Sequence, residues 1–282
     1  MILVWGSLDD EPVIRVMEEL DGLADVIHLD DDAVPSLEYD IELGAAPAGW
    51  IDSRARRVPL AEIHGWYLRP GSHTSVAATV LLALAGGLPA TVPVVNPPSA
   101  GDSNHSKPYQ SVLLAAAGVP VPDTLVTSDP EAAREFLARH ARVVYKSISG
   151  VRSIVTEVER DDELDRIGHG PVQLQELVDG LDVRVHVVRN DWFATSVESD
   201  ATDYRYGGDV AMEPLAIPRA LGDLLVEVTS SMGLLVAGID LRRTADGEWF
   251  CFEVNPSPGF TFYEERTGQP IAAAIARLLC SR

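Results

Sequence analysis

Short apolar runs and helically spaced apolar positions alternate along the first third of this chain. Met1–Trp5 is a continuous apolar run that stops at Gly6-Ser7, the pattern of a buried strand. From Pro12 to Leu20 the positions Val13, Val16, Met17 and Leu20 recur with helical spacing. Val26–Leu29 is a second short strand, followed by the acidic Asp30–Asp32. His64–Leu68 reads as a third strand, Ser75–Leu84 as a helix and Val92–Val95 as a fourth strand before Pro97-Pro98. Strands that alternate with helices predict a parallel α/β sheet.

The pattern changes after Pro97–Ser106, a stretch rich in Pro, Ser, Gly and Asn, so a boundary is expected near residue 98. Lys107–Ala117 has helical spacing and Gly118 stops it. Arg142–Ser147 and Ser153–Val158 read as strands joined by a loop at Gly150. Val172–Val178 and Val183–Val188 read as a strand pair turning at Asp179-Gly180. Ala237–Leu241 and Glu248–Val254 form a hairpin around Asp246-Gly247, a strong turn dipeptide, and Ile271–Leu279 is the last helix. The fold class is therefore α/β over 1–98 and α+β over 99–282.

Composition narrows the partners. The 282 residues carry 22 basic and 43 acidic side chains, a net charge of −21. Polyanion binders carry a basic face, so nucleic acid and anionic membrane are excluded as expected partners. Cys251 and Cys280 make neither a disulfide framework nor a metal-ligand spacing, and fit a reducing compartment. The start lacks the basic segment of a signal peptide, and the longest apolar run, Val76–Leu88, is about half a bilayer span. A cytoplasmic protein is expected, with a homodimer as the default assembly. Of the basic residues 20 are Arg and two are Lys, Lys107 and Lys146. A coding bias explains the ratio but not where those two lysines sit.

Three segments carry candidate chemistry. In Phe250-Cys-Phe-Glu-Val-Asn-Pro-Ser-Pro-Gly259, strand alternation puts Phe250, Phe252 and Val254 on one face and Cys251, Glu253 and Asn255 on the other. The hairpin partner brings Asp240 alongside; if its side chain faces the same way, Asp240, Glu253 and Asn255 offer the hard oxygen donors that Mg²⁺ takes, and the alternative is a solvated polar face. In Gln173-Leu-Gln-Glu-Leu-Val-Asp-Gly-Leu-Asp-Val-Arg184, a strand runs into a turn. Backbone groups near Glu176 and Val178 could meet an adenine edge there and Asp182 ribose hydroxyls; a plain hairpin turn is the alternative. Lys146 closes the strand Val143-Val-Tyr-Lys and enters a loop of small residues, and Lys107 opens a helix; both settings suit phosphate.

In order and spacing these segments resemble the ATP-grasp superfamily over essentially the whole chain. The resemblance implies a pre-ATP-grasp domain over 1–98 and a two-lobed grasp, with lobes at 99–176 and 177–282. It implies ATP and Mg²⁺ as cofactors. Lys107 and Lys146 would bind phosphates, Gln175, Glu176 and Val178 would sit at the adenine, Asp182 at the ribose, and Asp240, Glu253 and Asn255 at the metal. A narrower resemblance is to the RimK-like branch and its microviridin-type, or graspetide, peptide ligases. It rests on Leu29-Asp-Asp-Asp-Ala-Val-Pro35, Gly65-Trp-Tyr-Leu-Arg-Pro70 and Ser106-Lys-Pro-Tyr-Gln110, and on Gly118-Val-Pro-Val-Pro-Asp-Thr124, Asp203-Tyr-Arg205 and Thr267-Gly-Gln-Pro-Ile271. Leu68 stands where those ligases have the first Arg of Tyr-Arg-Arg, and Asn255-Pro-Ser-Pro-Gly259 is longer than their Asn-Pro-x-Gly.

The activity this implies is ligation of a carboxylate to an amine or alcohol through an acyl phosphate. The substrate would be a ribosomal peptide, a precursor with a leader; the alternatives are an amino-acid or dipeptide ligase, or a non-catalytic ATP-binding module. Arg184 and Arg205 are the candidates for the transferring phosphate and the oxyanion, because a planar fork grips either. The competing roles are a salt bridge to Asp182 for Arg184 and a surface loop for Arg205, with Arg152 as a third choice. The seven His have no metal spacing, and Arg54, Arg56 and Arg57 read as a solvated basic loop.

Overall fold

The computed structural model describes the chain except residues 45–46, 54–55, 72–73, 147, 149–155, 159–163, 165–166, 168–169, 200–209 and 282. It opens with β1 (Ile2–Gly6), α1 (Glu11–Leu20) and β2 (Val26–Leu29). Then come β3 (Tyr39–Glu42), β4 (Ala48–Asp52), β5 (Arg57–Pro59), β6 (Gly65–Arg69), α2 (Val76–Gly86) and β7 (Val94–Val95). The parallel sheet expected for this part has the order β2-β1-β6-β7. All of β1 is buried because both of its faces are covered. Ile2 and Val4 pack against Val13, Val16, Ile271 and Ile275, whereas Leu3 and Trp5 pack against Leu81 and Leu84. The last helix of the chain thus completes the core of the first sheet. Gly65 lets it approach: a Cβ there would lie 2.6 Å from the carbonyl of Leu279.

The antiparallel sheet β3-β4-β5 was not legible in the sequence. Its strands are short, and half-buried and exposed positions alternate along β3 without a continuous apolar face. The basic side chains here are not free charge: Arg56 pairs with Asp25, and Arg57, which begins β5, lies 3.9 Å from the centre of the Trp50 ring.

The second half continues with α3 (Lys107–Ala116), β8 (Thr124–Thr127), α4 (Pro130–Arg139), β9 (Val143–Lys146), β10 (Thr156–Glu157) and β11 (Val172–Glu176). After these come β12 (Leu181–Val188), β13 (Asp191–Ser199), β14 (Val210–Pro214), α5 (Arg219–Ser231), β15 (Val236–Arg243), β16 (Trp249–Asn255), α6 (Thr261–Thr267) and α7 (Ile271–Cys280). They make two antiparallel sheets, β10-β9-β11-β8 and β14-β13-β12-β15-β16. The expected pairing of 172–178 with 183–188 is corrected here. β11 pairs with β8 and β9, and β12 pairs with β13 and β15. Asp179-Gly180 is therefore a link between two sheets and not a hairpin turn. The dipeptide specifies a local bend, and long-range pairing chooses the partner.

β16 is an edge strand, and α3 and the loop after it cover its open side. The Gln110 side chain donates from Nε2 to the Val254 carbonyl (2.8 Å), and its Oε1 accepts from the Val254 N–H (2.8 Å). The Cys251 N–H donates to the Pro120 carbonyl (2.8 Å). Two of the motif strings therefore act together, since Ser106–Gln110 and Gly118–Thr124 both close the edge of the candidate metal strand. Gln110→Ala should leave the buried backbone of Val254 unpaired and lower stability by about 1–3 kcal/mol. Denaturant unfolding of the variant tests this; an unchanged midpoint would refute it.

Candidate functional site

Cross-strand register builds the site. Directly opposed residues share a face, and across β12, β15 and β16 they form three rows. The rows are His186–Gly238–Asn255, Arg184–Asp240–Glu253 and Asp182–Arg242–Phe250. A β-bulge between Asp240 and Leu241 puts Glu253 opposite Asp240 and Cys251 opposite Leu241, with Phe252 as the extra residue. It overturns the simple alternation expected along this strand. Cys251 and Val254 both turn into the core, while Phe250, Glu253 and Asn255 share the polar face. Phe252 also faces the cations, with Lys146 Nζ 5.1 Å and the Arg242 guanidinium 5.3 Å from its ring centre.

Lys107 and Lys146 meet these rows from two other elements. Lys107 opens α3, which Ser106 caps by accepting from the Tyr109 N–H (3.4 Å). Its Nζ lies 3.6 Å from Glu253 Oε2. Lys146 ends β9, opposite Gln173 on β11. Burial first, and then the charge of Lys107, push its pKa down to about 8, against the pull of Glu253 and Asp240. Gln173 and Gln175 share the Lys146 face of the sheet, and each has a buried side-chain oxygen with no hydrogen-bond partner. Those acceptors suit a donor group entering the seam between the two sheets.

Arg184 is 7% exposed, and its Nη1 donates to Asp240 Oδ1 (2.6 Å). Its Nε donates to His186 Nε2 (3.4 Å), and its guanidinium lies 5.7 Å from the Tyr263 ring centre. Gly238 makes room for it: a Cβ there would come within 2.0 Å of Arg184 Nη2. Among the described residues the salt bridge of Arg184 is thus to Asp240, where the sequence suggested Asp182. Asp182 Oδ1 accepts from Arg242 Nε (2.8 Å) and Nη2 (2.6 Å), and Arg242 Nη1 donates to the Val178 carbonyl (2.8 Å). Arg242 was missed in the sequence. Alternation from Asp240 could have flagged it, because i and i+2 share a strand face.

Asn255 Oδ1 accepts from the Ser257 N–H (2.9 Å). The Glu176 carboxylate accepts from the Asp123 N–H (2.9 Å) and lies 3.5 Å from His140 Nδ1, and the Glu176 N–H donates to the Asp123 carbonyl (2.9 Å). His186 is fully buried, and burial holds its pKa well below the usual imidazole range, so it is neutral. Arg205, Arg152, Gly150 and the string Asp203–Arg205 lie outside the described residues. The structure therefore brings Lys107, Lys146, Arg184, Asp240 and Glu253 to one seam, with Asn255 in the neighbouring row. This donor set fits a Mg²⁺–nucleotide: hard oxygens for the ion, ammonium groups for phosphate.

The chain belongs to the RimK-like ATP-grasp family, whose domain matches residues 104–279. It is 30% identical to the ribosomal protein bS6–L-glutamate ligase of Salmonella paratyphi B over 58% of this chain and 59% of that protein. The chain thus spans about three-fifths of the length of that curated relative. Among solved structures it is similar to the ATP-grasp ligase PsnB complexed with minimal precursor, Mg and ADP. The TM-score is 0.83 at 28% identity, covering 100% of this chain and 97% of that one. The macrocyclase MdnC of Microcystis aeruginosa MRC, bound with precursor peptide MdnA, shares the fold at a TM-score of 0.77 and 22% identity, over the full length of both chains. Among the described residues no helix is long and apolar enough to cross a membrane.

The lowered pKa of Lys146 has a measurable sign. The folded group releases its proton near pH 8 and the unfolded group near its ordinary 10.5. Over that window the unfolded chain holds more protons, so this group makes stability rise with pH. Unfolding midpoints of wild type and Lys146→Met across the window should show a steeper rise in the wild type; equal slopes would refute the assignment.

Proposed function

We propose that this chain is an ATP-dependent ligase that joins a carboxylate to an amine or alcohol through an acyl phosphate, and that its substrate is a ribosomal peptide. The observation that carries this is the seam where Lys107, Lys146 and Arg184 face Asp240 and Glu253. In this reading residues 1–98 precede the grasp, and its two lobes, 99–176 and 177–282, are joined by the link between β11 and β12.

A carboxylate does not condense with an amine or alcohol at neutral pH, because oxide is a poor leaving group. Moving a phosphoryl group onto it makes phosphate the leaving group; the nucleophile then bonds to the acyl carbon and loses its proton. What remains for the protein is to align the groups and neutralise charge. Lys107 and Lys146 would hold phosphate oxygens as compact point charges. Asp240, Glu253 and Asn255 would hold Mg²⁺, which when bound supplies Lewis acidity and a template. Arg184, already oriented by Asp240 and His186, would present its fork to the acyl oxyanion, together with Arg205. Gln175, the Glu176 carbonyl and the Val178 N–H would meet the base, and Asp182 the ribose, with Arg242 fixing both Val178 and Asp182.

Support for a peptide substrate comes from the full-length likeness to PsnB, a ligase complexed with its minimal precursor. The second reading, addition of free amino acids, is favoured by the likeness to a protein–glutamate ligase. Mass spectrometry after incubation with Mg-ATP and candidate substrates separates them. Loss of one water per link within a peptide is the expected result; ADP release with free amino acids alone would overturn it. Lys146→Ala and Glu253→Ala should each cut ADP production by at least about a hundredfold, the scale of losing one charge-stabilising group. Wild-type turnover in either would remove the site.

A further inference from the structure

We infer that Arg69, a residue of the first sheet, is a positioning residue for the metal site, through Asn255 far along the chain. The inference rests on Asn255 being a metal ligand, as proposed above. Arg69 ends β6, and its side chain is 12% exposed. Its guanidinium is engaged on two sides. Nε and Nη2 donate to the Asp10 carboxylate (2.6 and 3.3 Å), which fixes the plane of the fork. Nη1 donates to Ser257 Oγ and to the Pro258 carbonyl, both at 3.0 Å.

Those two acceptors lie in the loop that orients the site. The Ser257 N–H donates to Asn255 Oδ1 (2.9 Å), so the residue Arg69 grips is the one that aims the Asn255 oxygen. Pro258 also borders the Arg184 pocket, since a Cβ on Gly238 would meet it at 2.7 Å, beside Arg184. One guanidinium therefore sets the height of the Pro256–Pro258 loop against both Asn255 and the Arg184 pocket. The same loop is held from the first sheet's side by Asn96, whose Nδ2 donates to the Pro256 carbonyl (2.5 Å). Lys cannot replace the Arg69 contacts, because a single ammonium cannot hold a carboxylate edge-on and also reach two loop oxygens with fixed direction. Groups that orient metal ligands without touching the ion commonly change affinity by about 10- to 100-fold.

The probe is Mn²⁺ binding at saturating ADP, read by the electron paramagnetic resonance signal of free Mn²⁺, so turnover is not needed. Arg69→Ala should weaken Mn²⁺ by about tenfold or more, while ADP binding without metal stays at the wild-type value. Ser257→Ala should give a smaller loss in the same direction, and Arg69→Lys should not rescue. If Arg69→Ala does not fold, as judged by circular dichroism and melting, Arg69→Lys and Ser257→Ala carry the test, and wild-type Mn²⁺ affinity in both overturns the inference. Unchanged Mn²⁺ affinity in a folded Arg69→Ala overturns it too, as does an equal loss of metal-free ADP binding. A wild-type chain that binds no Mn²⁺ with ADP would remove the function reading itself. Binding that survives in Arg69→Ala removes only the role of Arg69.

Discussion

Two hydrogen bonds between the Gln110 amide and the backbone of Val254 hold the centre of this molecule together. Val254 sits between Glu253 and Asn255, so the clamp sets the height of both side chains. It also ties α3 to the edge of the large sheet, which brings Lys107 to 3.6 Å from Glu253. Because the contact is buried, water offers little competition, and each bond counts for more than it would at the surface. The first sheet, α3 and β16 are joined through this point and the Arg69 contacts next to it.

An acidic chain faces a problem when it must gather positive charge in one place. This protein places its cations opposite carboxylates on neighbouring elements: Lys107 with Glu253, Arg184 with Asp240, Arg242 with Asp182. Pairing limits the cost of taking each charge out of water. Lys146 is held differently, over the Phe252 ring, with its charge weakened by burial and by Lys107. Such an ammonium gains more than a solvated one would from an incoming phosphate.

Most elements were legible because their patterns are local. β1, α1, β6, α2, α3, the hairpin at Asp246-Gly247 and α7 follow from periodicity, proline and glycine within a few residues. The candidate site was legible as residue types in order. Lys107, Lys146, Asp240 and Glu253 do converge, and two of the motif strings around them turn out to be scaffolding, as Gln110 and Pro120 show. Less was legible where two elements had to be compared. Arg242 looked like one surface Arg among twenty, and only the register across β12 and β15 pairs it with Asp182.

The sequence by itself determined the strands and helices with strong local patterns, the hairpin turn at Asp246-Gly247, and which side chains have the chemistry to suit phosphate and metal. These depend on i to i+2 and i to i+4 relations, which the chain carries locally. Tertiary structure decided which sheet each strand joined, as in the separation of β11 from β12. It also decided that a bulge at Phe252 would turn Glu253 and Asn255 to the same face as Asp240 and Arg184. Those outcomes depend on competition among distant partners for hydrogen bonds and apolar cover, and no short window of residues contains that competition.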